Sequence, residues 1–440
     1  MVAKKLSRDL KQKLIQQSLQ RKLKQAETDA ARPAVSLKET TIPDKFYRFD
    51  QHPGYIQMQI INRGAEQLGV ESPFFRVHEG LAGATTVIAG RELINFASYN
   101  YLSLSGHPEV NQAATQAMER YGTSVSASRI VSGERPIHRE LEHALARTYG
   151  VDDAVVFVSG HATNVSTLGY LFGAKDLIIH DEYIHNSSIV GAQLSGARRL
   201  SFPHNDLDAL EHLLKEKRHQ FERVVIIVEG LYSMDGDFPD LKRLVQLKQQ
   251  HRVFLMVDEA HSFGVLGNSG KGLRELADVD ATDVDIWMGT LSKTLSGCGG
   301  FIAGESALVE NLRHLSPGFL YSVGIPAPIA AAAIKSLEIM AREPDRVRRL
   351  RSISEYFITQ ARALKLNTGD SRGIAIIPVI LGSSVNAARI SSALFDRGIN
   401  VQPILYPAVP EKSARLRFFL SCEHTQEQID TTLNTLASLL

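Results

Sequence analysis

Cysteine is nearly absent from this chain. Two thiols in 440 residues, Cys298 and Cys422, exclude a disulfide framework and any multi-cysteine metal cluster, and they fit a reducing cytoplasm. Tryptophan occurs once, and no apolar run approaches the roughly 18 residues needed to cross a bilayer. The N-terminus carries no apolar signal core, so secretion is not expected. Charge of either sign is not in excess. The formal net charge of +1 lends no support to general nucleic-acid or membrane binding. The remaining composition, 44% hydrophobic and 22% charged, is that of a soluble globular protein with room for two to three domains.

The charge is unevenly placed, however. Residues 1–32 hold nine Lys/Arg and three Asp/Glu, which leaves 40 basic against 45 acidic groups for the rest. Within this arm Leu6, Leu10, Leu14, Leu19 and Leu23 recur at helical steps beside Ile15. Such a basic amphipathic helix suits packing on the body or a neighbouring subunit, docking to an acidic partner such as an acyl carrier protein, or a mitochondrial presequence. Asp9, Glu27 and Asp29 weaken the last. The organisation expected is a basic arm and linker over 1–45, an N-terminal segment over 46–105, a large α/β domain over 106–325 and a smaller α+β domain over 326–440.

The large domain is read from apolar, mostly β-branched runs of strand length: 154–159, 177–180, 224–229, 253–258 and 285–289, with 301–303 able to add one more. Helical segments separate several of them, which predicts a mostly parallel sheet covered on both faces. Pro108 to Tyr121, Pro136 to Tyr149 and Ala327 to Arg342 read as helices, and 74–96 as short strands or a hairpin. Ligands of such sheets bind beyond the carboxyl ends of the strands, so the residues just after each run carry the functional expectation.

Lys293 stands out among them. It lies in Gly289-Thr-Leu-Ser-Lys-Thr-Leu-Ser-Gly-Cys-Gly-Gly300, with no other charged residue between Asp285 and Glu305. Alone, it reads first as a snorkelling lysine in a glycine-rich turn and only second as an amine nucleophile. An aromatic aldehyde cofactor bound there needs a carboxylate at its ring nitrogen, donors for its phosphate and a flat group against the ring. Asp258 offers the carboxylate and His261, three residues on, an imidazole. Ser233 offers a hydroxyl, and His185 a ring to lie over the cofactor. Gly160 and His161, with Thr290, suit the phosphate. Each also has a plain reading, Asp258 as a helix cap and His261 as a core histidine. Asp181, Glu182 and His185, or Asp258, Glu259 and His261, would suit a metal as well. No third cluster closes such a site, and a metal leaves Lys293 without a role. No metal is expected.

Taken in order, Ser159-Gly-His-Ala-Thr-Asn164, Asp181 to His185, His204-Asn205, Glu229-Gly-Leu-Tyr-Ser-Met-Asp-Gly-Asp237, Val257-Asp-Glu-Ala-His-Ser-Phe-Gly264 and Gly289-Thr-Leu-Ser-Lys293 resemble the α-oxoamine synthases. These are fold-type-I, pyridoxal-phosphate-dependent acyltransferases, and the likeness runs from about Ser98 to Leu420. The resemblance implies Lys293 as the cofactor's covalent anchor, Asp258 at the ring nitrogen, His185 stacked on the ring, and His261 and Ser233 near the phenolic oxygen. It implies Gly160, His161 and Thr290 at the phosphate, with Ser322 reaching a phosphate in the other subunit of a homodimer. Arg417 would take the amino-acid carboxylate, with Arg415 as the fallback. Asn100 and His138 would line the substrate entrance, and Ser128 would help size the amino-acid pocket. The sequence departs from the family at His161, at Thr294-Leu-Ser296 and at Tyr321-Ser-Val323.

The reaction implied is a decarboxylative condensation of a small amino acid with an acyl thioester, carried by coenzyme A or an acyl carrier protein, in the cytoplasm. Transamination, aldol cleavage, or a noncatalytic subunit of a heteromeric synthase are the alternatives.

Overall fold

The computed structural model describes residues 42–68 and 72–440, with Gln17, Gln20, Arg21 and Lys24 as exposed helical positions. The leucine stripe of the arm and nearly all of the linker lie outside the described residues.

Thirteen strands are described. A hairpin of β1 (Thr85–Ile88) and β2 (Arg91–Asn95) comes first, followed by β3 (Asp153–Phe157), β4 (Leu177–Asp181), β5 (Arg198–Phe202), β6 (Val224–Glu229), β7 (Phe254–Asp258), β8 (Ile286–Thr290) and β9 (Gly300–Gly304). The C-terminal part adds β10 (Ile376–Ile380), β11 (Ile399–Asn400), β12 (Gln402–Ile404) and β13 (Arg415–Phe419). Seven of them form one sheet in the order β3-β9-β8-β7-β6-β4-β5. Only β9 runs against its neighbours there, so the mostly parallel sheet is as expected.

The continuous apolar runs have a physical cause. Successive side chains point to opposite faces, and both faces are buried. Val156, Ile179, Ile226, Val228, Leu255 and Val257 enter one apolar cluster, while Val155, Ile178, Val225, Ile227 and Met256 enter the other. Strand β5 was not anticipated. It is the sheet's edge, mostly exposed and begun by two arginines, so it offers no apolar run to read.

The helices Pro108–Tyr121 and Pro136–Tyr149 have the predicted bounds, opened by proline and closed by Gly122 and Gly150. The helix Ala327–Arg342 packs on both. Strand β11 pairs in parallel with β2, so the hairpin of the N-terminal segment shares a three-stranded sheet with the C-terminal part. Phe96, just past that hairpin, packs against Phe357 and Phe418 and stacks on His424. Strands β10, β13 and β12 form the remaining antiparallel sheet, which presents β13 toward the loop after β6. No described helix is long and apolar enough to cross a membrane.

Candidate active site

Because β3, β4, β6, β7 and β8 run in one direction, the segments that follow them meet at one edge of the sheet. A cavity of about 280 Å3 opens there, and Gly160, His161, His185, Asp258, His261, Thr290 and Lys293 all line it. Seven of the nine residues expected at the cofactor therefore share one space.

Lys293 enters it on the segment leaving β8, with its Nζ 5.6 Å from the centre of the Tyr99 ring. Burial pulls its pKa below the usual lysine value against the attraction of Asp258 and Glu229. Asp258 ends β7. Its Oδ2 accepts from Asn164 Nδ2 at 2.8 Å and its Oδ1 from the Ala260 amide at 3.0 Å, so the carboxylate is held in a set orientation. His261 is almost wholly buried. Its Nδ1 lies 2.8 Å from the Tyr101 hydroxyl, and its ring is parallel to Phe419. Burial, then the charges of Lys293 and Arg417, push its pKa well down, so the ring is neutral. The Tyr101 hydroxyl fixes the orientation of that ring through Nδ1.

His185 caps the helix Asn186–Ser195. Its Nδ1 accepts from the Ser187 amide at 3.3 Å and lies 2.7 Å from Ser187 Oγ, which leaves the proton on Nε2. Burial lowers its pKa as well.

At the other end of the cavity, Gly160 and His161 open the helix Gly160–Leu171, whose first amides have no preceding turn to bond. A Cβ on Gly160 would sit 2.9 Å from Thr290 Oγ1, so backbone and hydroxyl close on the same point. Amides, hydroxyls of Thr290 and Ser292, and the positive end of a helix suit an anion. A second observation marks the space as polar and unfilled by protein: Oε1 of Glu229, buried on the cavity wall, has no partner. Burial and the neighbouring Asp258 raise the pKa of that carboxyl well above the usual range. The donor set therefore fits pyridoxal phosphate at both ends, with an amine between them.

The other expected residues are placed differently. Ser233 does not line the cavity. Its carbonyl instead accepts from Arg417 Nη1 at 3.1 Å. Arg417 lies over the Phe419 ring at 4.5 Å, and its buried Nε has no partner. Arg415 is held by Asp235, the Met234 carbonyl and the Ser413 carbonyl through Nη1 and Nε. Asn100 closes a turn on Ser105, and Ser128 bridges to Val323, so neither reaches the cavity within one chain. His138 is wholly buried and gives both ring nitrogens to backbone, Nδ1 to the Arg135 amide and Nε2 to the Ile325 carbonyl. Those bonds tie the start of its helix to the segment before the helix Ala327–Arg342. Ser322 donates to the Gly318 carbonyl, outside the Lys293 cavity of its own chain.

Asn164, Glu229, Tyr99 and Tyr101 were not assigned roles from sequence. The spacing held a signal for two of them. Asn164 lies four residues after Gly160 on one helix face, and Glu229 ends β6 directly opposite Asp258 in register.

Residues 91–436 match the family described as aminotransferase class I and II. An 8-amino-7-oxononanoate synthase of Symbiobacterium thermophilum is 39% identical over 86% of this chain and 95% of its own. The chain belongs to the α-oxoamine synthases. Among solved structures, the serine palmitoyltransferase of Sphingomonas wittichii superposes with a TM-score of 0.83 at 30% identity, covering 87% of this chain and 96% of that one. A high-resolution structure of SPT with PLP gives 0.84 at 28% identity over 88% and 97%. This α-oxoamine synthase is thus a fold-type-I, pyridoxal-phosphate-dependent acyltransferase of biosynthesis, which condenses an amino acid with an acyl thioester and releases carbon dioxide.

Proposed function

We propose that the enzyme joins alanine to an acyl thioester, as a homodimer, to give an α-amino ketone, carbon dioxide and a free thiol. The observation that carries the reading is the sharing of one cavity by Lys293, Asp258, His261 and His185, with Arg417 beside it. The choice of alanine comes from the relative's product. In 8-amino-7-oxononanoate the amino-bearing carbon carries a methyl group, which is the skeleton of alanine added to a seven-carbon acyl group.

The roles follow from what each group can hold or move. Lys293 would anchor the cofactor in the resting enzyme, and Gly160, His161 and Thr290 would bind its phosphate, joined by Ser322 of the partner subunit. Asp258, oriented by Asn164, would hold a proton on the cofactor's ring nitrogen. His261, held by its hydrogen bond with Tyr101, would serve the phenolic oxygen, while Ser233, outside the cavity, holds Arg417 through its carbonyl. Arg417 takes the amino-acid carboxylate, while Arg415 fastens the loop around it. Asn100, Ser128 and His138 act around the pocket, His138 by tying its helix in place.

Pyridoxal phosphate, when bound, supplies the electron sink for charge left on the α-carbon. Lys293, whose pKa burial lowers, would be the base that takes the α-proton and later returns it. His185 would lie against the cofactor ring, with its Nε2–H free to hydrogen-bond the thioester oxygen as charge develops there. The sulfur would leave as thiolate and take a proton from solvent, the carboxylate would depart from Arg417 as carbon dioxide, and the proton held by Lys293 would go back to the carbon it left.

The test is a thiol-release screen of alanine, glycine and serine against acyl thioesters of coenzyme A and carrier protein, with mass spectrometry of the ketone. Alanine is expected to give the fastest release. Preference for serine would move the substrate toward that of the serine palmitoyltransferases. A keto acid formed without thiol release would overturn the reading.

A further inference from the structure

The His204-Asn205 pair belongs to the sequence pattern of the family, yet no role in the site falls to it. His204 follows β5 and lies outside the Lys293 cavity. Its Nδ1 is 2.9 Å from Asp181 Oδ1 and its Nε2 is 2.8 Å from Asp237 Oδ2. An ionised carboxylate only accepts, so each ring nitrogen must donate and the ring is an imidazolium. Burial opposes that charge, but the hydrogen bonds to Asp181 and Asp237 outweigh it and raise the ring's pKa to about 10. Tyr183 stacks on the ring at 4.5 Å and Tyr232 meets it edge-on at 4.5 Å.

Each carboxylate is the root of a functional loop. Asp181 ends β4, accepts from the amides of Tyr183 and Asn205, and stands four residues before His185. Asp237 closes the loop after β6. Its carbonyl takes the Tyr232 amide and its side chain takes Asn205 Nδ2. The same loop gives the Ser233 carbonyl to Arg417 and Asp235 to Arg415.

We propose that His204 is a positioning residue whose doubly bonded ring ties the loop bearing His185 to the loop holding Arg417, and so sets the relation between the ring-covering group and the carboxylate-binding group. The proposal rests on the roles given above to His185 and Arg417. Without the ring, Asp181 and Asp237 keep only the neutral Asn205 between them, through its amide and its Nδ2, and the loops lose their charged tie. Arg362, Asp370 and Arg372 stand across a surface cavity of about 680 Å3 that His204 also lines, and this cavity admits small solutes.

That access permits chemical rescue. His204→Gly in the full-length holoenzyme is expected to keep the cofactor's absorbance and to lose roughly tenfold to a hundredfold in kcat/KM for the amino acid. Added imidazole should restore most of the loss. 1-Methylimidazole, with one N–H at most, should not. An unchanged kcat/KM, or equal rescue by both compounds, overturns the proposal. A second measurement stands apart from turnover and from the folding of the variant. In wild-type protein labelled with nitrogen-15 histidine, both ring nitrogens of His204, identified by their loss in His204→Gln, should carry protons at about pH 8. A neutral ring at that pH overturns the clamp. If no amino acid and thioester turn over in the wild type, the functional reading fails while the nitrogen spectrum still judges His204.

Discussion

Arg415 and Arg417 sit two positions apart on β13 and share its face, yet their surroundings separate them. Arg415 is tied to Asp235 and two carbonyls, whereas Arg417 bonds one carbonyl and keeps a buried Nε without a partner. Arg417→Lys is therefore expected to raise the KM for the amino acid about tenfold or more, by loss of bidentate contact, with Tm unchanged. Arg415→Ala should instead lower stability by about 1–3 kcal/mol, since it removes charge-assisted hydrogen bonds from a mostly buried loop. Steady-state kinetics beside thermal denaturation distinguish the two. In the sequence the family resemblance favours Arg417 and keeps Arg415 as the fallback, because alternation along a strand shows only that they share a face. Their partners, Ser233 and Asp235, are about 180 residues away in the chain. Lys293 was legible for the opposite reason. Its oddness is local, a lone charge in a long uncharged run.

At the scale of elements, what could be read was whatever burial imprints on neighbouring residues. Strands β3, β4, β6, β7 and β8 are buried along most of their length and appear as apolar runs, while the exposed edge strand β5 leaves no such trace. The place of β9 between β3 and β8 was not readable either, since pairing order is not a local property. That place matters to the site. Gly300 opens β9 against the start of the helix Gly160–Leu171, and a Cβ there would fall on Thr163 Oγ1 and 2.7 Å from the Gly160 Cα. Gly300→Ala should force the helix start from the sheet, costing about 1–3 kcal/mol of stability and weakening cofactor retention. Denaturant unfolding and cofactor titration check both parts. Wild-type cofactor affinity in that variant would show that the Gly160 amides do not depend on this contact.

For the whole molecule, the segments flanking Ser322 and Ser128 carry large apolar groups in the open. Tyr321 is 86% exposed and Val131 78%, with Ile130 and Val323 close to half. A second copy covering them agrees with the proposed dimer and would bring Ser322 toward a neighbour's phosphate site. Tyr321→Glu is expected to yield monomers by sedimentation and to reduce cofactor retention together with turnover. A dimer that persists with full activity would place the interface elsewhere.

Sequence alone determined the chemistry on offer: an amine in an uncharged run, carboxylates and imidazoles at strand ends, a small-residue turn before a helix, and a family order for all of them. These are local properties, carried by side-chain type and by the burial of adjacent residues. Only the tertiary structure decided which of them meet. It brought Lys293, Asp258, His261 and His185 into one cavity, gave Arg417 rather than Arg415 the open position, committed His138 to backbone and placed His204 between two loops. Such choices depend on strand order and register, and these are set by burying both faces of a sheet assembled from distant parts of the chain.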